Sequence, residues 1–359
     1  MSVTYRVIAV NDLDSVLLSA WRGIQSRHEI FASPYFCPEF TQLVGEVRDD
    51  VRVVVIENGG QIAGFFPHQR SLLGMGKAIG GPLSDYHGVI APPTAAWEVV
   101  PLMQAAKLSI WAFDHLADDT RKFESYTEAR SSSPQIDLSS GYAQYVQGRR
   151  EAGSDYIRKT EGLARKLARD IAEPVFTLHD TDSAVLDKII EWKSLQFQKA
   201  NLPDAFSLRW TSALLRQIAQ TQTSEFSGVC SALRIGDRII AAHMGMRSHN
   251  TFHYWFPTYD SEFSKFSPGI ILLLRMAEAL ANTGVETIDL GTGESQYKER
   301  LMTGSISIQE GAVELPSILT RGRKLLRLAE KHASRGGMGT LLKIPLGLIR
   351  RTERLLKFH

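Results

Sequence analysis

Residues 252–301 decide the fold; they read FHYWFPTYDSEFSKFSPGIILLLRMAEALANTGVETIDLGTGESQYKERL. The aromatic run HYWFP predicts a strand, the polar segment after it a loop, and the apolar stretch that opens at Gly269 a long helix. A second strand, ETIDLG, and a short helix, ESQYKERL, follow. This alternation of strands and helices predicts a mixed α/β unit.

The start of the long helix has the composition of an anion site. The first turn of a helix presents unpaired backbone N–H groups and a partial positive charge. Pro268 needs no N–H at the first helical position, Gly269 has no Cβ to hold a phosphate oxygen away, and Lys265 adds a cation. Together with Ser267, these residues predict a pyrophosphate site of the kind that binds coenzyme A. The alternative is a structural N-cap with a turn-forming Pro-Gly pair.

A second candidate site follows the strand ETIDLG. Gly291 and Gly293 let the backbone turn sharply at the carboxyl edge of the sheet, where open α/β sheets place their ligands. On the next helix, Lys298 is expected to stabilise a tetrahedral acyl-transfer oxyanion, and Tyr297 to act as general acid toward the leaving group. Glu294, four residues before Lys298, is expected to contact the acceptor. A surface ion pair between these two residues is the alternative.

Two further residues are candidate proton acceptors. His243 lies in the strand IIAAHMGMRS, where alternation places it on one face with Ala241 and Gly245, small neighbours that leave room for a ligand. An imidazole with a pKa near neutrality can take the proton from an attacking amine or hydroxyl. Asp289, at the end of its strand, is the other candidate base. For His243, a hydrogen-bonded core histidine is the alternative.

A chain of 359 residues is expected to hold two domains. Each half runs strand, two helices, hairpin, helix, strand, which we interpret as a duplication of shape. The expected limits are 1–140 for an N-terminal unit, 141–172 for linking helices, 173–316 for the catalytic unit and 317–359 for a basic amphipathic tail. In the first half, the polar cluster Asp85, Tyr86 and His87 is expected to line an acceptor cleft. The alternative is a turn in which Asp85 caps a neighbouring backbone.

Composition excludes several classes of protein. Cys37 and Cys230 are the two cysteines, which rules out a disulfide framework and a CxxC zinc site. No basic segment followed by a long apolar run opens the chain, and the apolar run Ile270–Leu274 is too short to span a bilayer, so a cytoplasmic setting is expected. The sequence also lacks a P-loop and paired Cys/His spacing, so no metal is expected.

The basic residues are concentrated at the end of the chain. Residues 321–359 contain eleven Lys/Arg and two Glu, a balance of +9, whereas the whole chain has a net charge of +2. The remaining residues therefore carry −7, and nucleic-acid binding by the body is not expected. Leu and Ile alternate with Arg and Lys in the tail, which predicts peripheral contact with an anionic membrane. Terminal helices packed on the acidic body are the alternative.

The segments FSPGIILLLRMAEAL and GVETIDLGTGESQYKERL resemble the CelD/BcsL-type acetyltransferase family, a GNAT branch associated with cellulose and exopolysaccharide biosynthesis. That family has a similar Ser-Pro-Gly helix start, Asp-x-Gly-x-Gly strand end and Tyr-Lys-x-Arg helix. FASPYFCPEF, GQIAGFFPHQR and GGPLSDYHGVI resemble its first half, so the resemblance spans about residues 5–315. It implies tandem GNAT-like units, each a mixed twisted sheet flanked by helices, and an acetyl-CoA or other acyl-CoA donor. The strands after Trp255, with Phe256, would hold the pantetheine.

The resemblance implies transfer of an acyl group to an amine or hydroxyl of a sugar, sugar nucleotide or polysaccharide precursor. The two-unit plan is also similar to the Fem peptidyltransferases, whose second unit carries a lysine near the acyl-transfer centre; Lys298 matches that lysine best. Two alternatives stay open: a Fem-like aminoacyl transferase acting on a peptidoglycan precursor, and a non-catalytic scaffold of a polysaccharide synthase. The chain departs from the GNAT pattern Arg/Gln-x-x-Gly-x-Gly/Ala, because Lys265-Phe-Ser-Pro-Gly stands in its place.

Overall fold

The computed structural model describes residues 2–293, 295–317 and 320. Glu294 and the expected tail from residue 321 onward lie outside the described residues. The strands are β1 Val3–Ala9, β2 Val51–Asn58, β3 Gln61–Arg70, β4 Met75–Lys77, β5 Ile110–Leu116, β6 Thr127–Asp137, β7 Val175–Thr177, β8 Ser227–Ile235, β9 Arg238–Ser248, β10 Thr251–Tyr259, β11 Thr287–Asp289 and β12 Gly304–Glu314. The α-helices are α1 Ser15–Gln25, α2 Pro38–Val47, α3 Val99–Ala105, α4 Tyr142–Glu151, α5 Tyr156–Asp170, α6 Ser183–Lys199, α7 Arg209–Gln220, α8 Pro268–Ala281 and α9 Gln296–Leu301.

The chain folds into two compact units that are not contiguous in sequence. The first contains residues 2–27, 44–130 and the described residues from 309 onward, and the second contains 28–43 and the described residues of 131–308. In the first unit the strand order is β1-β2-β3-β4-β5-β12, and in the second it is β6-β11-β10-β9-β8-β7.

The last strand of each half of the sequence pairs with a strand from the other half. β6 follows β5 in the chain but pairs antiparallel with β11, placing Ile136 opposite Ile288. β12 follows the helices of the second unit but pairs antiparallel with β5, placing Val313 opposite Trp111. The compact units therefore differ from the expected contiguous halves 1–140 and 173–316, because pairing partners distant in sequence decide where each last strand packs.

Each unit buries its own core. In the first, α3 covers an aromatic cluster that includes Trp97, Trp111 and Phe123. In the second, the apolar residues of α8, among them Leu273 and Met276, pack against the sheet, with side chains from β9, β10 and β11. Within the described residues, no helix is both long and apolar enough to cross a membrane.

The expected linking helices belong to the second unit. The predicted helical stretch 142–170 is divided into α4 and α5, and Gly153, with a φ of 80°, lies in the break. α5 is strongly amphipathic and buries Ile157, Ala164 and Leu167. Its Glu161 accepts two hydrogen bonds from the guanidinium of Arg275 in α8, at 2.7 and 2.9 Å. The long apolar helix is thus covered along one side by α5.

The predicted hairpin between β2 and β3 is confirmed. Asn58-Gly59-Gly60 makes the turn, and the two glycines have φ values of 59° and 83°. A two-residue hairpin loop needs positive φ at both central positions, which glycine adopts without steric cost. The local sequence alone is therefore sufficient to fix this turn.

Candidate functional site

β10 and β11 are parallel neighbours whose pairing ends at His253 and Asp289. β11 stops there, whereas β10 continues to Tyr259. The register of β10 against β9 also shifts between His253 and Phe256, which marks a β-bulge. Gly245 of β9 accommodates the bulge, because a Cβ at that position would collide with the carbonyl oxygen of His253. The carboxyl ends of two adjacent parallel strands therefore part, as they do where open α/β sheets bind ligands.

The loop after β10 connects this strand to the start of α8. Ser267 adopts a left-handed conformation, with φ 54° and ψ 51°, and its carbonyl accepts hydrogen bonds from Ile270 N at 3.0 Å and Ile271 N at 3.1 Å. Pro268 occupies the first turn, as predicted, and the side chain of Ser267 makes no capping hydrogen bond to the described residues. A Cβ at Gly269 would lie 3.3 Å from the ring of Tyr259, so a larger residue would crowd this helix start.

The other residues expected near the donor have different surroundings. Lys265 is exposed, and its Nζ lies 4.9 Å from the ring centroid of Phe266. Trp255 is 7% exposed, and its ring makes edge contacts with Tyr35 and stacks on Phe256 with centroids 4.2 Å apart. The structure thus places the Trp255 indole in a packed aromatic cluster of the second unit.

Asp289 is buried and holds the turn that follows β11. Its Oδ1 accepts hydrogen bonds from Ser133 Oγ at 2.6 Å and from Gly291 N at 2.8 Å, and its Oδ2 accepts one from Gln135 Nε2 at 3.3 Å. His253 Nδ1 lies 3.6 Å from the same carboxylate. Gly291 has a φ of 71°, which explains why glycine occupies this turn. The carboxylate oxygens that a base would use are therefore already engaged by donors.

Lys298 reaches back from α9 to the same loop. Its Nζ donates to the carbonyl oxygens of Thr292 at 2.6 Å and Gly291 at 3.1 Å. Gly293, the next residue, has a φ of 96°. The ammonium thereby joins the start of α9 to the end of β11 and carries its positive charge to the edge where β10 and β11 part.

Two tyrosines lie beside this loop. Tyr297 of α9 packs on the core of the second unit, and burial raises its pKa to about 12. Tyr254 of β10 is 3% exposed; burial raises its pKa, and its proximity to Tyr297 adds to the shift. Both phenols therefore keep their protons at neutral pH and act as donors.

His243 is completely buried on β9 and stacks on Tyr254, with ring centroids 4.3 Å apart. Neither of its ring nitrogens has a hydrogen-bond partner among the described residues. Burial lowers its pKa well below the usual value, and the charges of His253 and Lys193 lower it further. The imidazole is therefore neutral, with two polar atoms that a polar ligand can satisfy.

Lys193 on α6 is a candidate site residue that the sequence predictions omit. α6 packs on β9 and β10, where Gln196 Nε2 donates to Thr258 Oγ1 at 3.2 Å. Lys193 is three residues before Gln196 and four after the fully buried Ile189, so it lies on the sheet-facing side of the helix. Burial, with the charge of Lys298 adding, lowers its pKa to about 8. A lysine on an otherwise apolar helical stripe was the signal in the sequence.

The polar cluster of the first half belongs to the first compact unit. Tyr86 and His87 are buried, and His87 forms a bridge with Leu116 of β5. The two ring nitrogens of His87 have no hydrogen-bond partner within the described residues, and burial lowers its pKa to about 4. Asp85 is partly exposed. The structure therefore places these three residues in a different compact unit from His243 and Lys298.

Residues 155–299 match the acetyltransferase (GNAT) domain family. This range includes α6, the diverging strands β10 and β11, the start of α8 and most of α9, which are the elements of the candidate site. No curated protein sequence matches the chain. Among the described residues, no group of three or more His, Cys, Asp or Glu side chains is arranged to hold a metal.

Solved structures with low sequence identity share the fold. The C-terminal domain of a proposed lysylphosphatidylglycerol synthetase from Agrobacterium fabrum matches with a TM-score of 0.52 and 12% identity, covering 88% of this chain and 96% of that chain. A tandem GNAT protein from the clavulanic acid biosynthesis pathway matches with a TM-score of 0.50 and 10% identity, covering 88% and 100%. FemX matches with a TM-score of 0.48 and 8% identity, covering 73% and 87%.

The matches to the synthetase domain and to the tandem GNAT protein establish the architecture. The fold is that of tandem GNAT-like units. The predicted fold class, mixed α/β with a sheet flanked by helices in each unit, is confirmed. The family match supports an acyltransferase, and GNAT domains use an acyl-CoA as their donor.

Proposed function

We propose that the protein transfers an acetyl or other acyl group from coenzyme A to an amine or hydroxyl of a sugar, sugar nucleotide or polysaccharide precursor. The observation that carries this proposal is the separation of β10 from β11 after His253 and Asp289. Beyond that pair, β10 no longer has β11 as its partner, so its backbone polar groups can pair with the amides of a pantetheine chain.

The start of α8 supplies the second support for a coenzyme A donor. α8 has fourteen residues, so its first turn carries a substantial partial positive charge, and Gly269 keeps the backbone accessible. A cavity of about 380 Å³ lies between α5 and α8; its lining includes three arginines, Arg165, Arg169 and Arg275, and two carboxylates, Glu161 and Glu173. Arg165 and Arg169 are exposed and can add cations for a nucleotide phosphate.

Proton transfer follows from the groups beside the parting strands. The acceptor nitrogen or oxygen attacks the thioester carbonyl, and its proton passes to the neutral amine of Lys193. The attack forms the new bond and a tetrahedral intermediate with a negative oxygen; when this intermediate collapses, the carbon–sulfur bond breaks and Tyr297 protonates the departing thiolate. Lys298 contributes positive charge for the oxyanion. His243 offers its two ring nitrogens to the acceptor.

The donor site is tested by isothermal titration of acetyl-CoA into wild-type protein and the variant Gly269→Asp. A carboxylate in the first turn of α8 favours the helix but repels a diphosphate, so we expect at least a tenfold weaker affinity. The ring of Tyr259 must move slightly to admit the new Cβ, so circular dichroism and thermal denaturation check that the variant is folded. Gly23→Asp in α1 introduces the same charge where a Cβ meets no atom within 4 Å, and it should bind normally. Equal affinities in the three proteins would contradict a diphosphate at α8.

The acyl donor distinguishes this proposal from its two rivals. Release of free coenzyme A from acetyl-CoA in the presence of sugar or sugar-nucleotide acceptors supports the proposed reaction. Turnover with aminoacyl-tRNA and a peptidoglycan precursor, but not with acetyl-CoA, supports a Fem-like aminoacyl transferase. If neither donor binds, a non-catalytic scaffold is the remaining function.

A further inference from the structure

Two leucine side chains project from the turn between β3 and β4 of the first unit. Leu72 is fully exposed and Leu73 is 65% exposed. The turn that carries them is firmly hydrogen-bonded: Gly74 N donates to Ser71 O at 3.0 Å, Ser71 N to Met75 O at 2.9 Å, and Met75 N to Ser71 Oγ at 3.1 Å. The hydrogen-bonded turn thus holds two leucine side chains in solvent, where exposed apolar surface is unfavourable.

Cationic residues surround this leucine turn, which we define as Ser71–Gly74. Arg70 immediately precedes it, and its guanidinium donates to Ala106 O at 3.3 Å. Lys107 is exposed, and a Cβ at Gly74 would lie only 3.1 Å from its carbonyl oxygen, so the two backbones touch. Lys77 is three residues beyond Gly74, at the end of β4. Three cationic residues therefore lie close to the leucine turn in sequence or by backbone contact: Lys107 is exposed, whereas Arg70 and Lys77 are half-buried and Lys77 has the carboxylate of Asp50 nearby.

The last described strand, β12, ends near the same turn. Ser109 N donates to Gly74 O at 2.8 Å, and Leu315 N donates to Ser109 O at 2.8 Å. The chain therefore leaves β12 about two strand spacings, ~10 Å, from the leucine turn. The sequence that follows, residues 321–359, carries the +9 balance and alternates Leu and Ile with Arg and Lys.

We propose that the leucine turn docks the protein on an anionic lipid bilayer. Leu72 and Leu73 enter the boundary between headgroups and acyl chains, and Arg70, Lys77 and Lys107 contact lipid phosphates. The two exposed leucine side chains offer far less area than the ~800 Å² per partner of a stable protein interface, whereas a bilayer deforms around them. Reversible membrane attachment commonly combines two weak signals, and the basic composition of residues 321–359 supplies the second.

The full chain is tested by co-sedimentation with phosphatidylcholine vesicles, with and without phosphatidylglycerol. Replacing both leucines by serine should lower the partition coefficient on anionic vesicles at least about tenfold, because the apolar area that enters the bilayer is removed. Val16→Ser in α1 removes an equally exposed apolar side chain, 65% exposed, from the same unit and should bind like wild type. Lys107→Gln should weaken binding to anionic vesicles and leave the weak binding to neutral vesicles unchanged.

A second measurement reports insertion directly. Cys37 and Cys230 are buried, so Leu72→Cys can be labelled selectively with an environment-sensitive dye, whose emission should shift to the blue on anionic vesicles. No spectral shift, or unchanged sedimentation of the double serine variant, would overturn the proposal. If the wild-type protein self-associates without lipid and the double serine variant does not, the leucine turn contacts a second copy of the chain. That result would also contradict the proposed lipid binding.

Discussion

His243 and Tyr254 are stacked face to face, with their ring planes 5° from parallel and their centroids 4.3 Å apart. The two residues lie on adjacent strands, β9 and β10, at the bulge that moves β10 out of register. The stack buries an imidazole whose nitrogens have no partner among the described residues, which costs stability unless a ligand pairs with them.

His243→Phe should therefore separate stability from activity. Phenylalanine can keep the stack on Tyr254 and removes two unpaired polar atoms, so we expect the free energy of unfolding to rise by about 1 kcal/mol. The value of kcat/KM should fall at least tenfold if the imidazole binds the acceptor. Chemical denaturation and a CoA-release assay measure the two effects. A variant with normal kcat/KM would make His243 a packing residue.

Lys193→Gln tests the proposed proton acceptor. With a pKa of about 8, the neutral amine increases tenfold per pH unit below pH 8 and levels off above it, so kcat/KM should rise to a plateau near that pH. In the glutamine variant, kcat/KM should no longer rise with pH in this range. Its value on the plateau should be at least tenfold lower than in the wild type. Lys188→Gln on the same helix removes an exposed lysine paired with Glu191 and should change neither. An unchanged pH profile in the Lys193 variant would exclude it as the base.

Lys298→Ala should lower turnover at least tenfold with little loss of folding, because it removes the cation that holds Gly291 and Thr292. Removing this positive charge also favours the protonated form of Lys193, so the residual pH limb should move to higher pH. Steady-state assays across pH measure both effects. Near-normal turnover would show that Lys298 takes no part in the chemistry. An unchanged pH dependence would show that the charge of Lys298 does not affect the pKa of Lys193.

Gly245→Ala should destabilise the second unit by about 1–3 kcal/mol, the usual cost of overpacking. The added methyl would collide with His253 O at the β10 bulge and lie 2.6 Å from His243 Cε1. Gly162→Ala in α5 is the matched control, since its nearest atom, in the flexible side chain of Arg165, is 3.9 Å away and alanine favours a helix. Equal stability of the two variants, measured by urea denaturation, would show that the bulge tolerates the methyl.

Acid should destabilise the first unit through its buried histidines. His68 and His87 each have a pKa lowered by burial to about 4, below the ordinary 6.5. As the pH falls from 6.5 toward 4, each of these histidines binds a proton in the unfolded chain but stays neutral in the folded chain. Each therefore lowers the free energy of unfolding, by roughly 2 kcal/mol at pH 5. His87→Leu should reduce the loss between pH 7.5 and pH 5. The same loss in this variant would show that His87 is already protonated when folded.

The candidate site was only partly visible in the sequence. The helix start at Pro268 and the glycine turn after β11 depend on local backbone rules, and both were predictable from short motifs. Lys193 left only the weak signal of a lysine on an apolar helical face, because its lowered pKa comes from the sheet it faces and from the charge of Lys298, 105 positions later in the chain. The surroundings of Trp255 likewise depend on Tyr35, a residue from the first tenth of the chain that packs in the second unit.

The sequence by itself determined the secondary structure around the site, the β2–β3 hairpin and the mixed α/β class, because hydrophobic period, glycine and proline act within a few residues. The GNAT-like fold was implied by the family resemblance of the segments around α8 and α9. Only the tertiary structure decided which strands complete each sheet, which polar atoms are buried without partners, and which carboxylate is engaged by donors. Those properties arise where segments distant in sequence, such as Ser133 and Asp289, meet and exclude water. The preference of a short segment for helix or strand does not indicate which distant segment it will contact.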